Sequence, residues 1–473
     1  MKTLLPPNLA FLLIVSLLIS CTTQEKHKVA KINEDSLATI FDTDLKKGIL
    51  DVWYPCIIDS AAGGYYSNMA FDWKIAPDQP KMLVSQTRQV WTSSQAAMFN
   101  HDTSYTKYAR HGFLFLRDHM WDKVYGGFFN LCSRNGGYID ESYRDEKRAY
   151  GNSFAIYALV SYYRLTRDTS ALGYAKRTFL WLEKFSHDKK YGGYMDPLER
   201  DGTWLMKVKP SKKRPDSPVN HWKDYNSSIH LLESFTELYK VWPDSLVRTR
   251  LHEMLTLVRD TFAGRKGYLT LYFSVHWKPV SYRDSGTQTI LRNKEFDHVS
   301  FGHDIETAYL ILEASHALGI SQDTLTLRIA RSLVDHALAT GFDLKHGGFF
   351  YEGYYFPGRD TITIIDREKS WWVEAEGLNS LLLMSKIFPS DNKYPEAFLK
   401  QWQEIDSFLI DKEHGGWYIS GLEENPEART APKASIWKAN YHDSRALMNC
   451  IRLFRNENEL VEPFKQLAGE IYR

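Results

Sequence analysis

The chain has 473 residues, of which 43% are hydrophobic and 25% charged, a balance typical of a soluble globular protein with a substantial core. The formal net charge of +1 argues against a nucleic-acid partner and against a strongly acidic one. Aromatic residues reach 14%, a level typical either of sugar-binding clefts or of aromatic-rich helix packing.

The first 20 residues predict a signal peptide, because Lys2 precedes an apolar run that is short for a membrane span. The small residues before Cys21 are similar to a bacterial lipobox, so we expect Cys21 to be lipidated. Residues 21–37 then form a polar tether, and the chain is exported and held on the periplasmic or outer-membrane face of the envelope. An ordinary signal peptide is the alternative. The membrane is expected to be contacted only through this anchor.

A glycine-aromatic phrase recurs along the chain at steps of about 63 to 80 residues, which indicates six structural repeats. Gly pairs favour tight turns, and the aromatic residues after them favour short extended segments, so each repeat is expected to contain a small hairpin. The repeats are marked by Gly63-Gly64, Gly126-Gly127, Gly192-Gly193, a weaker Gly267, Gly347-Gly348 and Gly415-Gly416.

The sequence between the glycine marks predicts helices. In "NSFAIYALVSYYRLT", Phe154, Ala158, Ser161 and Leu165 recur at spacings of four, three and four, which places them on one helical face. Each repeat has room for two helices, so residues 38–473 predict one all-α domain, an (α/α)6 barrel with short β-hairpins between units. A linear solenoid of helix pairs is the alternative, but the chain has no polar capping repeat.

Reactive side chains recur at one phase of this repeat, about 23 to 36 residues after each glycine mark. In a closed barrel, equal phase means equal height, so these clusters are expected to converge on one mouth of the inner ring. The clusters contain Arg88; Lys147, Tyr150 and Asn152; Asn226, His230 and Glu233; His303 and Glu306; Trp371, Trp372, Glu374 and Glu376; and Trp437, Tyr441, His442 and Arg445.

Spacings within the clusters support a shared site. Asn226, His230 and Glu233 fall on one helical face. Glu306 follows His303 by one helical turn, so its carboxylate is expected to orient that imidazole. No HxH or HExxH spacing occurs, so neither a metal nor a bound cofactor is expected.

The other cysteines, Cys56, Cys132 and Cys450, are widely separated and lack a CxxC pattern. They indicate neither a disulfide framework nor a zinc site, and we expect buried, inert thiols.

Two or three imidazoles beside tryptophans suit proton transfer at a sugar carbon. Trp371, Trp372 and Trp437 can stack on sugar rings, and imidazoles titrate near neutrality and can take or give a proton. Two imidazoles on opposite faces of a planar intermediate remove a proton from one side and return it on the other. Arg88 would stabilise the negative charge on the enediolate oxygens.

Four stretches carry a resemblance to a known family: "SFGHDIETAYLILEA", "KSWWVEAEGL", "NSSIHLLESFTELYKVWPD" and "WKANYHDSRAL". They resemble the N-acylglucosamine 2-epimerase superfamily, most closely its cellobiose 2-epimerase branch, and the likeness extends from about residue 45 to 453. The resemblance implies an (α/α)6 barrel that interconverts glucose and mannose units at C2 of a reducing end. The sugar ring opens, one His takes the C2 proton to leave a cis-enediolate, and a second His reprotonates the other face.

Carried over by motif, the resemblance makes His303 and His442 the acid/base pair. His230 would bind the sugar and help to open its ring, and Arg88 would lie at the C1 and C2 oxygens. The implied substrate-site residues are Asn226, Glu306, Trp371, Trp372 and Glu376, and Tyr441 and Trp437 from the last cluster complete the set.

The chain departs from the family pattern at three places. Ser228 replaces the first of two closely spaced histidines that are common in the branch. Residues 207–222 form a Pro- and Lys-rich insertion that is expected to be a loop beside the site. A lipid anchor is also unusual in a family usually met in the cytoplasm.

Several functions remain open on the sequence. The substrate is a reducing oligosaccharide, such as cellobiose, mannobiose or a longer β-linked chain, or a free monosaccharide. An aldose–ketose isomerase uses the same bases, while a glycoside hydrolase needs two carboxylates, for which Asp304, Glu306, Glu374 and Glu376 are the candidates. A sugar-binding lipoprotein without turnover is the last alternative. The sequence carries no signal for an oligomeric state.

Overall fold

The computed structural model describes residues 32–137, 146–205 and 222–471, and these form the expected barrel of helix pairs. Each inner helix packs against the next, and the last packs against the first, so the ring is closed and the solenoid alternative is excluded. The inner helices are α3 (Leu83–Phe99), α5 (Ala149–Thr166), α7 (Tyr225–Val241), α10 (Phe301–Leu318), α12 (Trp371–Ile387) and α14 (Tyr441–Phe454).

An outer helix packs against each inner one. The outer helices are α1 (Glu34–Thr43), α4 (Thr106–Phe115), α6 (Thr169–Phe185), α8 (Ser245–Thr256), α11 (Thr324–Gly341) and α13 (Lys393–Glu404). Four of them continue into π-helical turns, at Asp44–Leu50, Leu116–Met120, Leu257–Ala263 and Ile405–Leu409. The remaining helices are α2 (Asp51–Cys56), α9 (Thr287–Asn293) and α15 (Val461–Ile471).

The first outer helix comes from the N-terminal part of the chain. Asn33 caps α1, and Phe41 on the same helix is fully buried. The expected tether to residue 37 therefore gives way to helix at Glu34, because Leu37 and Phe41 supply an apolar face that packs on the barrel. The signal peptide and Cys21 lie outside the described residues.

Short antiparallel strands precede several inner helices. β1 (Lys81–Met82) pairs with β2 (Leu131–Cys132), and β3 (Trp222–Asp224) pairs with β4 (Tyr272–Ser274). A three-stranded sheet joins β5 (Val299–Ser300), β6 (Glu352–Tyr354) and β7 (Thr363–Asp366) in that order. Most of the insertion at residues 207–222 lies outside the described residues, and its last residue begins β3.

In five of the six repeats, a buried lysine pairs with the aspartate of the hairpin that contains the Gly-Gly turn. In the second repeat both glycines have positive φ, and the carboxylate of Asp122 accepts the N–H of Val124 and pairs with Lys147. A buried ammonium is tolerated here because the carboxylate and the turn carbonyls satisfy it. The five pairs are Lys81–Asp59, Lys147–Asp122, Lys223–Asp188, Lys369–Asp343 and Lys433–Asp411.

In four of the six inner helices, the fourth residue faces the hairpin rather than the barrel axis. Gln86, Asn152 and Glu374 accept the N–H of the aromatic residue that follows the Gly pair. In the weaker fourth repeat, Asp304 accepts the N–H of Leu269 instead. These contacts fix the rotation of these four inner helices and so determine which side chains face the axis.

The cysteines and the lengths of the helices can also be compared with the sequence. Cys132 and Cys450 are buried as expected, but Cys56 is exposed, because it ends the short helix α2 at the surface. None of the described helices is long and apolar enough to span a bilayer.

Candidate active site

Side chains from five of the six inner helices meet at the N-terminal end of the ring, and Tyr150 from α5 contacts two of them. These side chains lie in the first two turns of their helices, except Glu233, which lies one turn further along α7. The prediction that residues at the same position in each repeat lie at the same height in the barrel is therefore confirmed. The central group consists of Arg88, His230, Glu233, His303, Glu306, Trp372, Glu376, Tyr441, His442 and Arg445.

Arg445 is the centre of this group. Its Nη2 donates to Glu306 Oε1 and to Glu376 Oε1, both at 2.7 Å, and its Nη1 donates to Glu233. The guanidinium thus joins carboxylates from three other helices, α7, α10 and α12. All four side chains are nearly completely buried, so their charges depend on one another.

The carboxylates around Arg445 differ in charge. Burial acts to raise the pKa of Glu376, but Arg445 and His442 outweigh it and leave that pKa lowered. Burial, reinforced by the nearby Glu376, instead raises the pKa of Glu306. Glu376 is therefore the ionised member of the pair, and Glu306 the one that more readily holds a proton.

His442 forms a dyad with Glu376. Its Nδ1 lies 2.6 Å from Glu376 Oε1, and the Tyr309 hydroxyl donates to Glu376 Oε2 at 2.9 Å. Because an ionised carboxylate only accepts, the proton of His442 lies on Nδ1, and the lone pair of Nε2 is free. Burial lowers the pKa of His442 to about 3 although Glu376 opposes the shift, so the imidazole is neutral near pH 7.

Within the described part of the chain, His303 has no carboxylate partner. Its Nδ1 lies 2.7 Å from the Ser300 hydroxyl, and its ring packs on Tyr225 and Trp372 with centroids 4.8 and 4.6 Å away. Burial, followed by the nearby His230, holds the pKa of His303 well below its usual value. The hypothesis that Glu306 orients His303 is therefore wrong, because Arg445 from α14 binds Glu306 instead.

His230 is the third imidazole of the site. Its Nδ1 lies 2.9 Å from Glu233 Oε2, and its ring packs on Phe154 and Tyr150. Burial lowers the pKa of His230, so it too is neutral near pH 7. Among the described residues, no protein group bonds to Nε2 of His230, His303 or His442, so these nitrogens are available to a substrate.

Arg88 closes the side of the site formed by α3. Its Nη1 donates to the backbone carbonyl of Trp437 at 2.9 Å, and its guanidinium lies over the rings of Phe154 and Tyr441. It has no carboxylate partner among the described residues, so its positive charge remains available to an anionic oxygen.

The predicted aromatic residues occupy different places. Trp372 contacts both His303 and His442, with ring centroids 4.6 and 5.9 Å away. Tyr441 is fully buried and donates its hydroxyl to Glu233. Trp437 is 51% exposed at the rim, whereas Trp371 is buried with its ring 5.5 Å from Lys438 Nζ and is not brought to the central group.

Asn226 is half-buried beside Tyr150, at the edge of the group. Ser228, which departs from the family pattern, donates to the backbone carbonyl of Asp224 at 2.8 Å.

Some functional residues were missed by sequence reasoning. Ser300 and Tyr309 bond to His303 and Glu376, yet Ser300 lies in a strand and Tyr309 in an apolar stretch of α10. The only available signal is spacing, because Ser300 precedes His303 by three residues and Tyr309 follows Glu306 by three. Such a signal is too weak to identify a partner.

One group within the described part of the chain has the geometry of a metal site. Ligand atoms of Glu306, Glu376 and His442 lie within 4.8 Å of one another. Both carboxylates already receive Arg445, so a cation would have to displace a guanidinium whose pKa is raised well above its usual value. These residues therefore fit an internal ion pair better than a metal.

The carboxylates also lack the arrangement of a glycosidase. Asp304 and Glu374 face their hairpins, while Glu306 and Glu376 are held by the same guanidinium. All four are thus held by hairpin N–H groups or by Arg445, whereas a glycosidase needs two carboxyl groups directed at the glycosidic bond.

Comparison with known proteins agrees with this geometry. The family model for N-acylglucosamine 2-epimerase matches residues 64–446, so the chain belongs to that family. A cellobiose 2-epimerase from Bacteroides fragilis is 28% identical over 87% of this chain and 96% of its own length. A D-mannose isomerase from Marinomonas mediterranea is 24% identical over 85% of this chain and 93% of its own.

The fold has solved relatives as well. The structure of cellobiose 2-epimerase from Spirochaeta thermophila superposes with a TM-score of 0.76, at 28% identity, over 89% of this chain and 98% of that one. Together the family match and these relatives identify the chain as a carbohydrate epimerase or isomerase.

Proposed function

We propose that this carbohydrate isomerase inverts C2 of the reducing-end sugar of β-linked disaccharides and oligosaccharides of the cellobiose or mannobiose type. One observation carries the proposal: His303 and His442 contact the same Trp372 ring, and Nε2 of each is bonded to no protein group of the described residues. Two neutral or singly charged imidazoles at one reaction centre suit removal and return of a proton at carbon. The cellobiose 2-epimerases among its relatives support the same substrate class.

The proposed reaction begins with the open-chain aldehyde. Nε2 of one imidazole takes the proton from C2, and the electron pair of that C–H bond moves into a C1–C2 double bond while the C1 carbonyl oxygen becomes anionic. The other imidazole, which takes up a proton from solvent for this step, donates it to the opposite face of C2 as the carbonyl re-forms, and the first imidazolium returns its proton to solvent. No external oxidant is needed, because the sugar gains and loses only one proton.

The other residues have supporting roles in this proposal. The guanidinium of Arg88, which has no carboxylate partner in the described ranges of the chain, stabilises the developing enediolate charge. His230 binds a hydroxyl of the sugar and assists ring opening. Trp372 supplies an apolar face for the sugar ring, and Trp437 at the rim is positioned for the second sugar unit.

Product identification tests the proposal. The purified chain without its signal peptide is incubated with cellobiose and with mannobiose, and the products are identified by chromatography and NMR. Appearance of the C2 epimer at the reducing end supports the proposal. Release of monosaccharides would show hydrolysis, and binding without conversion would show a sugar-binding protein; either result overturns it.

An aldose–ketose isomerase is the second candidate, favoured by the likeness to a D-mannose isomerase. The same enediolate gives a ketose if the proton returns to C1 instead of C2. A ketose as the main product, from a free monosaccharide or a disaccharide, would replace the epimerase assignment.

We also propose that the chain is exported and acylated at Cys21. The small residues before this cysteine, after a basic residue and a short apolar run, support acylation. Metabolic labelling with a radioactive fatty acid should mark the parent chain and not a Cys21→Ser variant. Equal labelling of both would overturn the assignment.

A further inference from the structure

The N-terminal segment enters the barrel at the end opposite to the candidate active site. Glu34, the first residue of α1, pairs with Lys386 at 2.7 Å, and Lys386 lies in the last turn of α12. Trp372 and Glu376, by contrast, lie in the first two turns of that same helix. The site and the entry point are thus separated by almost the whole length of α12.

The entry point is fixed by packing. Phe41 on α1 is fully buried and contacts the rings of Phe398, Trp402 and Phe454, with centroids 4.4 to 6.4 Å away. Burial of one such side chain stabilises a contact by about 1.5 to 3 kcal/mol. Since α1 is also the outer partner of α14, detachment of the chain there would expose the outer face of α14.

The length of chain before α1 limits how the barrel can be oriented. Cys21 and Asn33 are twelve residue steps apart, a distance of at most about 40 Å for a fully extended chain and about 20 Å on average for a flexible one. The 17 residues of α12 alone measure about 26 Å, and the hairpins extend the mouth further. Bringing the mouth to the bilayer therefore requires a nearly taut chain, while the opposite end reaches it readily.

The sequence of this stretch suits a lipid surface. Lys26, Lys28 and Lys31 stand against the single acid Glu25 between Cys21 and residue 32. Basic residues next to an anchor are attracted to anionic lipid headgroups. The charge thus favours a short distance between the entry end of the barrel and the membrane.

We propose that the anchored protein holds the end of the barrel formed by the C-termini of the inner helices against the lipid surface, with its catalytic mouth facing away. This orientation rests on the proposed acylation of Cys21 and is independent of which sugar is converted. It leaves the mouth open to soluble oligosaccharides that could not enter a gap between protein and membrane.

The orientation can be measured by energy transfer on vesicles that contain acceptor-labelled lipids. Donor dyes are placed singly on the acylated full chain at Ser390→Cys, exposed between α12 and α13, or at Thr361→Cys, exposed between β6 and β7 near the mouth. Both variants carry Cys56→Ser, because Cys56 is the exposed native thiol in the described part of the chain. A Cys21→Ser form of each is the matched control.

We expect the acylated chain to float with the vesicles and transfer from position 390 to be at least twofold higher than from position 361. Equal transfer from both, or higher transfer from 361, would overturn the proposed orientation. Failure of the acylated form to float, or flotation of the Cys21→Ser control, would overturn the role of the anchor. Conversion of disaccharide by the same samples reports on the enzymatic proposal separately.

Discussion

His442 and His303 lie in the same site, but they are held by different partners. His442 Nδ1 faces an ionised carboxylate, Glu376, that Arg445 and Tyr309 also bind. His303 Nδ1 faces the Ser300 hydroxyl, which can donate or accept. His442 is therefore fixed in one tautomer with a basic Nε2, whereas His303 is free to adopt either tautomer. The two bases of this proton-transfer pair are not equivalent.

The largest effect is expected when the charge of Glu376, which fixes the tautomer of His442, is removed. In Glu376→Gln the amide can present a donor to Nδ1, which favours the tautomer whose Nε2 carries the proton and is no longer basic. We expect kcat to fall roughly 10²- to 10⁴-fold, as when a carboxylate that orients a catalytic histidine is replaced by its amide.

Glu374→Gln is the matched control, because Glu374 lies two residues away on α12 but faces the Phe349 N–H of its hairpin. This control should retain kcat within about twofold, since the group does not touch the site. Equal losses in the two variants would mean that the dyad has no special role.

Replacing Arg445 by Lys tests whether the dyad depends on the shared guanidinium. A single ammonium cannot serve Glu233, Glu306 and Glu376 in the fork geometry of Arg445. We expect kcat to fall about 10- to 100-fold with a smaller change in KM, as for other groups that orient a ligand through a neighbour.

A purely structural role for Arg445 would instead lower the thermal midpoint while leaving the pH profile of kcat unchanged. The acidic limb of that profile should shift in Arg445→Lys, because the charge on Glu376 is then less well compensated. An unchanged profile contradicts the positioning role.

The neutral state of the histidines predicts a pH dependence of stability. The pKa of His442 is about 3 in the folded chain, below its usual value of about 6.5, because of burial. As the pH falls below about 6.5, the unfolded chain binds a proton that the folded chain refuses, so the free energy of unfolding falls by about 1.4 kcal/mol per pH unit for this group.

Denaturant unfolding between about pH 6 and pH 4.5 should therefore show a shallower slope for His442→Gln than for the parent. His252→Gln, at an exposed position of α8, is the matched control for the loss of a histidine side chain. The same slope in His442→Gln as in the parent would contradict neutral burial of His442.

The smallest effect on kcat is expected when His303 loses its Ser300 partner. Ser300→Ala removes one neutral hydrogen bond to His303, which corresponds to a loss of roughly 2- to 10-fold in kcat. Ser380→Ala, which removes a buried serine hydroxyl bond to the Ile305 carbonyl, is the control for buried serine loss. A loss of 10²-fold or more in Ser300→Ala would show that His303 depends on its partner as strongly as His442.

Much of this arrangement could be predicted from the sequence, because repetition carries it. The glycine marks predict six helix pairs, and their common phase predicts that His303, His442 and Arg88 lie at one height. Partner choice could not be predicted, since it depends on contacts between distant helices. Glu306 lies one turn from His303, yet it binds Arg445 from α14, 139 residues away.

The tryptophans show the same limit. Trp371 and Trp372 are adjacent in sequence and were both expected at the sugar. Successive residues on a helix differ in direction by about 100°, and the hairpin contact of Glu374 sets the rotation of α12. Trp372 therefore contacts the histidines while Trp371 packs near Lys438.

The most direct test of the two-imidazole account is deuterium exchange at C2 in D2O, followed by proton NMR, with His303→Ala and His442→Ala and with both epimers as substrates. Each variant keeps one base, so it should exchange the C2 proton of only one epimer without forming the other, and the two variants should act on opposite epimers. Epimer formation by either variant, or exchange of the same epimer by both, would contradict the account.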